Sequence, residues 1–155
     1  MENTLAKIEY SWLAWFVGFV DGEGYFQICI QNAGRSAQTH LNITVREDDG
    51  PVLRDIQSVL GIGKIYQIDR TADRNNGRKS QNQYRWRVNR IQEVVEIVIP
   101  LFDEFPLHTK KASDYHLWRE AAFLIHQGQH LNSNHHKLME LWAQSKANRV
   151  CHAHL

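Results

Sequence analysis

The chain of 155 residues is predicted to fold as α+β, with an antiparallel sheet carrying helices on one face. Three observations carry that expectation. Two hairpins are legible, and three of their four strands alternate apolar and polar residues at period two. Between and after the hairpins, apolar residues recur at helical spacing. Hydrophobic residues make up 43% and charged residues 23%, which suits one core over residues 1–155 and excludes a disordered chain.

Each element follows in order. Ser11 to Val20 is an apolar helix with small residues, Ala14 and Gly18, four apart on one face, and Gly22 and Gly24 are expected to stop it. Tyr25 to Gln31 is a strand with Phe26, Ile28 and Ile30 inward. Asn32 to Ser36 is a turn, and the next strand sets Leu41, Ile43 and Val45 against His40, Asn42, Thr44 and Arg46. Asp49 is placed to cap a helix with Pro51 in its first turn, a stripe of Leu53, Ile56 and Leu60, and an end at Gly61. A short strand, Lys64 to Asp69, follows, with its register open. Arg70 to Gln83 is a long polar loop, and Tyr84, Trp86 and Val88 then alternate with Gln83, Arg85, Arg87 and Asn89. Asn89 is placed to cap a helix through Ile91, Val94, Val95, Val98 and Ile99, with Pro100 and Pro106 breaking the chain around it. Thr109 to His126 and Asn134 to Ala147 complete the set as helices.

Composition excludes several classes. Cys29 and Cys151 lie far apart in no redox or metal spacing, so a disulfide framework is not expected and a reducing interior is. The longest apolar run, Trp12 to Val20, is too short for a membrane helix, and no secretory leader is legible. An intracellular protein without a membrane partner is expected: cytoplasmic if the source is prokaryotic or viral, organellar if the gene is.

The net charge of +1 argues, taken whole, mildly against a nucleic-acid partner. Divided, it argues the other way. Between Lys64 and Arg90 stand eight basic residues against two acidic ones, a local +6 that leaves −5 for the rest. On the second hairpin the arginines occupy the face opposite the apolar one, as a surface following phosphates requires; a solvated hairpin has the same pattern. The other feature is Asp21-Gly22-Glu23-Gly24, which closes the first helix. Carboxylates beside helix C-terminal carbonyls offer the oxygen donors that Mg²⁺ or Ca²⁺ prefers; a plain turn is the other reading.

Phe16-Val17-Gly18-Phe19-Val20-Asp21-Gly22-Glu23-Gly24, preceded by Leu13 and Ala14, resembles the signature motif of LAGLIDADG homing endonucleases, in one copy. Residues 60–65 (LGIGKI), 105–111 (FPLHTKK) and 138–141 (LMEL) are further local matches in the family's order. The resemblance implies an αββαββα core whose saddle-shaped sheet lies in the DNA major groove. It implies pairing of motif helices through Ala14 and Gly18, with Asp21 supporting that seam, and hence a homodimer on a pseudo-palindromic double-stranded target. Glu23 is implied as the catalytic and metal-binding carboxylate, assisted by the Gly22 carbonyl, with Mg²⁺ as cofactor and Ca²⁺ or Mn²⁺ able to substitute in binding. Either Lys110 or Lys111 is implied as the lysine that polarises phosphate or water. DNA contacts fall to Tyr25, Gln27, Gln31, Arg35, His40, Asn42, Thr44 and Arg46 on the first hairpin, and to Lys64, Tyr66, Gln83, Arg85 and Arg87 on the second. Arg70, Arg74, Arg78 and Lys79 are assigned to phosphates.

The activity implied is Mg²⁺-dependent, site-specific cutting of double-stranded DNA by an intron-encoded enzyme. A maturase-like protein gripping intron RNA is the alternative from another class. A third is a zinc-dependent structural protein built on His126, His130, Cys151, His152 and His154, for which solvated histidines are the plainer reading. Trp12, Trp15, Trp118 and Trp142 are read as core or seam packing.

Overall fold

The computed structural model describes residues 3–128, 131 and 134–152; of residues 33 and 149–152 only the backbone is described. After a short 3₁₀ turn, α1 (Tyr10–Glu23) leads into β1 (Gly24–Gln31) and β2 (Ser36–Arg46), then α2 (Gly50–Leu60), β3 (Lys64–Ile68), α3 (Thr71–Asn75) and β4 (Gln83–Val88). A helical run over 91–104 follows, comprising α4 (Ile91–Glu93), a π-helical stretch (Val94–Val98) and α5 (Ile99–Glu104). Helices α6 (Lys111–His126) and α7 (His135–His152) come last.

The four strands form one antiparallel sheet in the order β1-β2-β4-β3. Its apolar face carries Phe26, Ile28, Leu41, Ile43, Trp86 and Val88, all buried, and α1, α2 and α6 pack on that side. The predicted α+β architecture therefore stands. Trp86, wholly buried, donates its indole N–H to the Ile62 carbonyl at 3.0 Å. That contact dictates Gly63: its φ is +81°, and a Cβ there would lie 2.5 Å from the indole nitrogen. Trp118 is buried likewise and donates to the His40 carbonyl at 3.1 Å. Trp12 and Trp142 pack against the core, whereas Trp15 is 43% exposed on the outer side of α1.

Several local expectations are corrected. α1 runs through Gly22 to Glu23, so only Gly24 ends it; a Cβ on Gly24 would meet the Val20 carbonyl at 2.9 Å. β2 begins at Ser36, four residues earlier than the alternation used to place it. The polar loop contains α3, tied by Asp69 accepting from the Thr71 amide and hydroxyl. Asp49 and Arg90 stand at the N-cap positions of α2 and α4 without a side-chain cap bond, so Asn89 is not the cap. Pro100 does not break its helix. In an α-helix a proline ring would crowd the carbonyl four residues back, and here the wider π turn lies just upstream to accommodate it.

Candidate active site and nucleic-acid interface

The two acids that close α1 have different surroundings. Asp21 faces back into its own chain and accepts from the His108 amide at 2.7 Å, the Thr109 amide at 3.1 Å and the Thr109 hydroxyl at 2.6 Å. Partial burial opposes its charge, but these three bonds outweigh it and hold the carboxyl below the usual carboxylate range. Asp21 therefore ties α1 to the loop before α6, an intrachain role. Glu23 is exposed, and among the described residues no hydrogen bond engages its carboxylate.

The loop held by Asp21 also sets the lysines. Lys111 reaches across α1 and donates to the Asp21 carbonyl at 2.7 Å and the Val20 carbonyl at 3.2 Å, satisfying helix C-terminal acceptors. Burial pushes its pKa down, against the pull of Asp21, Glu23 and Asp114. Lys110 is exposed at the N-cap position of α6. Of the two candidates, then, Lys111 is the one brought to the end of α1 beside Glu23.

Glu23 opens onto a cleft of about 490 Å³ that it lines with Phe19, Thr44, Arg46, Asp49 and Gln83. Among the described residues no group of three or more His, Cys, Asp or Glu side chains is arranged to hold a metal. The donor set at the α1 end is nonetheless of the right chemistry for a hard cation, a free carboxylate next to backbone carbonyls.

The outer face of α1 is left open. Ala14, Gly18 and Gly22 are exposed at four-residue intervals, and a Cβ on either glycine would meet nothing within 4 Å. Beside them Trp15 stacks on Phe19 at 5.3 Å, and Tyr10 is 72% exposed. Nothing in the described chain requires glycine at positions 18 and 22.

The register aligns the polar sheet face in rows. Tyr25, Asn42, Arg87 and Lys64 form one row, Thr44, Arg85 and Tyr66 the next, and Arg46, Gln83 and Ile68 the third. This answers the open register of β3: Lys64 and Tyr66 share the face of the arginines. Gln27 and Gln31 project there from β1, and Arg35 is exposed in the hairpin turn. Two members of the predicted set are covered instead. Asn42 is fully buried and His40 is 8% exposed, because β2 lies between β1 and β4 and longer side chains close over it. Asn42 accepts from Arg87 Nε at 2.7 Å, and His40 Nε2 donates to Gln38 Oε1 at 2.9 Å. Burial, reinforced by Arg87 and Arg85, pushes His40 down to about 4, so it is neutral at physiological pH.

The loop basic residues converge in part. Arg46, Arg70 and Lys79 line a cleft of about 450 Å³ with Asp73, Gln81 and Gln83. Arg74 turns inward to the Ser80 carbonyl and the Asn82 side chain, while Arg78 pairs with Asp73 at 3.7 Å. Sequence reasoning missed Gln38, Gln81 and Asp49. Gln38 had a signal, since the alternation of β2 continues back through it to Ser36; Gln81 sits in a loop and had none, and Asp49 was legible only as a candidate helix cap. His126 is exposed, and the remaining proposed zinc ligands lie outside the described residues (His130, His154) or outside the described side chains (Cys151, His152).

Comparison with known proteins places this geometry. Residues 16–122 match the family model of the LAGLIDADG endonuclease. The chain is 33% identical over 144 residues to a probable intron-encoded endonuclease, Cox1-I1b, of Schizosaccharomyces pombe, covering 90% of this chain and 34% of that protein. It is 33% identical over 103 residues to a probable intron-encoded DNA endonuclease of Mycosarcoma maydis, covering 66% and 34%. Among solved structures, the LAGLIDADG meganuclease I-AabMI bound to uncleaved DNA is 30% identical with a TM-score of 0.69, over 83% of this chain and 42% of that one. The homing endonuclease I-TnaI, at 24% identity and a TM-score of 0.71, shares the fold over 85% of this chain and 86% of its own. The chain thus spans about a third of the length of these curated relatives and under half of I-AabMI. With the motif helix, the four-stranded antiparallel sheet and the family model in agreement over most of its length, the chain belongs to the LAGLIDADG endonuclease family.

Proposed function

We propose that this chain is one domain of a site-specific double-strand DNA endonuclease, acting as a homodimer in which two copies of α1 face each other. The observation that carries the reading is the division of labour at the end of α1. Asp21 is consumed by the loop, while Glu23 stands free beside Lys111. The open glycine stripe supports a second helix against α1, which would set two Glu23 carboxylates side by side.

Phosphodiester hydrolysis needs an activated water, relief of charge on the phosphate and a positioned backbone. A divalent ion of the Mg²⁺ class, with Ca²⁺ or Mn²⁺ substituting in binding, would be held by Glu23 and the Gly22 carbonyl and would supply water activation and charge neutralisation. The Lys111 ammonium, fixed by two carbonyls, adds positive charge where the phosphate must accumulate negative charge. The polar sheet face binds the duplex in its major groove and aligns the scissile bonds with the α1 ends. Arg46, Arg70, Lys79 and the neighbouring loop residues hold phosphates. A chain that only gripped intron RNA would have no use for an unpartnered carboxylate beside a fixed lysine, so DNA cutting is preferred. The cox1 and ND4 introns that name several relatives support an organellar origin.

The test is incubation with DNA carrying the uninterrupted host locus, with and without Mg²⁺, for the native chain, Glu23→Gln and Lys111→Met. Cutting by the native chain alone, with binding by all three, is expected. Native protein that binds this DNA but leaves it whole at every Mg²⁺ concentration refutes the nuclease reading.

A further inference from the structure

We infer that Arg85 and Arg87 are guanine-reading side chains whose orientation is set by two positioning residues, Thr44 and the buried Asn42. The inference rests on the DNA-binding reading above and adds to it a specificity element of defined chemistry.

Both arginines are held in the same way. Arg87 donates through Nε to Asn42 Oδ1 at 2.7 Å, and its guanidinium lies 5.6 Å from the centre of the Tyr66 ring. Arg85 donates through Nε to Thr44 Oγ1 at 2.9 Å and lies 6.0 Å from the centre of the Tyr25 ring. With Nε spent inside the sheet, the terminal amino groups of each fork remain, and among the described residues nothing accepts from them. A fork of two N–H donors matches guanine O6 and N7 in the major groove, and it matches a phosphate as well. Position decides between them. β4 is an interior strand, flanked by β2 and β3, so its side chains meet the groove floor, whereas the phosphates lie toward the sheet's rim, where Arg46, Arg70 and Lys79 stand.

Asn42 supplies independent support. It is wholly buried on β2, the other interior strand, and its Nδ2 has no acceptor among the described residues. Turning the amide over would set its amino group against Arg87 Nε, donor to donor, so Arg87 fixes the orientation and Nδ2 is left over. A buried unpaired donor is costly, and an apolar residue would serve the strand better. Asn42 is explained by what it does to Arg87. Same-face positions on a strand are about 6.8 Å apart and duplex base steps about 3.4 Å, so the two forks stand about two base steps apart.

The full chain is selected against a duplex library randomised across the target length, and thermal unfolding is recorded for each variant. The expected native selection carries two guanines about two steps apart in each half-site. Asn42→Val should relax one of them and Thr44→Val the other, each by a factor on the order of tenfold. Asn42→Asp, which keeps the acceptor, should retain both. Asn42→Val is expected to melt no lower than the native chain, which separates positioning from a merely structural role. Loss of affinity that is equal on all sequences, guanine preferences untouched by either valine, or DNA bound with no guanine preference overturns the inference while leaving the DNA-binding reading intact. A native chain that retains none of the library overturns both. Should Asn42→Val not fold, Thr44→Val, at a half-exposed position, decides alone.

Discussion

Replacing Asp21 by Asn separates the roles of the two motif acids. The Asp21 carboxylate accepts three hydrogen bonds, at 2.7, 3.1 and 2.6 Å, from the loop that delivers Lys111. Bonds to a charged group are worth about 1.5–3 kcal/mol each, but these share one partly exposed carboxylate, so a net of about 2 kcal/mol is the working figure. Asn keeps one acceptor and turns an amino group toward the His108 amide, donor against donor. For a chain of this size about 2 kcal/mol lowers Tm by about 4–8 °C. Glu23→Gln removes no hydrogen bond among the described residues, so its Tm should stay within about 1 °C while cutting is lost. The pH dependence has a defined sign. The Asp21 carboxyl sits below its ordinary range in the folded chain, so its stabilisation is full above the unfolded value near 3.8 and is lost as pH falls through the folded one. Thermal unfolding followed by circular dichroism from neutral pH into acid reads both effects, and Asp21→Asn should flatten the acid limb. Equal melting of the two variants, or a larger loss in Glu23→Gln, refutes the assignment of Asp21 to the fold and Glu23 to chemistry.

Three further outcomes are expected. The Cβ that Gly18→Leu adds meets nothing within 4 Å in its own chain and points off the exposed face of α1, so the fold should survive while solution mass, by sedimentation, falls from a pair to one chain of 18.1 kDa; a pair that persists argues against the α1 seam. His40, pushed down to about 4 by burial and by Arg87 and Arg85, binds no proton in the folded chain where the unfolded chain does. Stability should therefore fall by up to about 3 kcal/mol as pH drops from about 6.5 toward 4, and denaturant titrations of His40→Gln should show a flatter profile over that window. Gly63→Ala forces a Cβ to 2.5 Å from the Trp86 indole nitrogen at a φ of +81°, and should cost about 2–4 kcal/mol by denaturant unfolding; a loss below about 0.5 kcal/mol would mean that the indole yields freely.

Much of this molecule was legible in the sequence because the signals are local. Period-two alternation put Phe26, Ile28, Leu41, Ile43, Trp86 and Val88 on the buried face, and the structure has them there. Helix stripes such as Leu53, Ile56 and Leu60 were equally plain, and Gly61 ends that helix in the left-handed region. Elements set by longer-range contacts were less so. Pro100 reads as a breaker until the π turn before it is seen, and Gly22 reads as a stop although α1 continues past it.

The site divides along the same line. From the sequence alone came the motif, its acids at the end of a helix, the small residues four apart on one face, and a basic hairpin hidden within a net charge of +1. All of these are properties of neighbours along the chain, and helix or strand period is enough to place them. Tertiary structure alone decided which acid is free, which lysine reaches the α1 end, the face of β3 and the burial of Asn42 and His40. Asp21 is bound by residues 87 and 88 positions away, Lys111 by carbonyls 90 and 91 positions away, and Arg87 by a partner 45 positions away. Hydrogen bonds act over about 3 Å and burial depends on which strands flank a residue, so neither is encoded in local spacing; both wait on the packing of helices and strands that only the folded chain brings together.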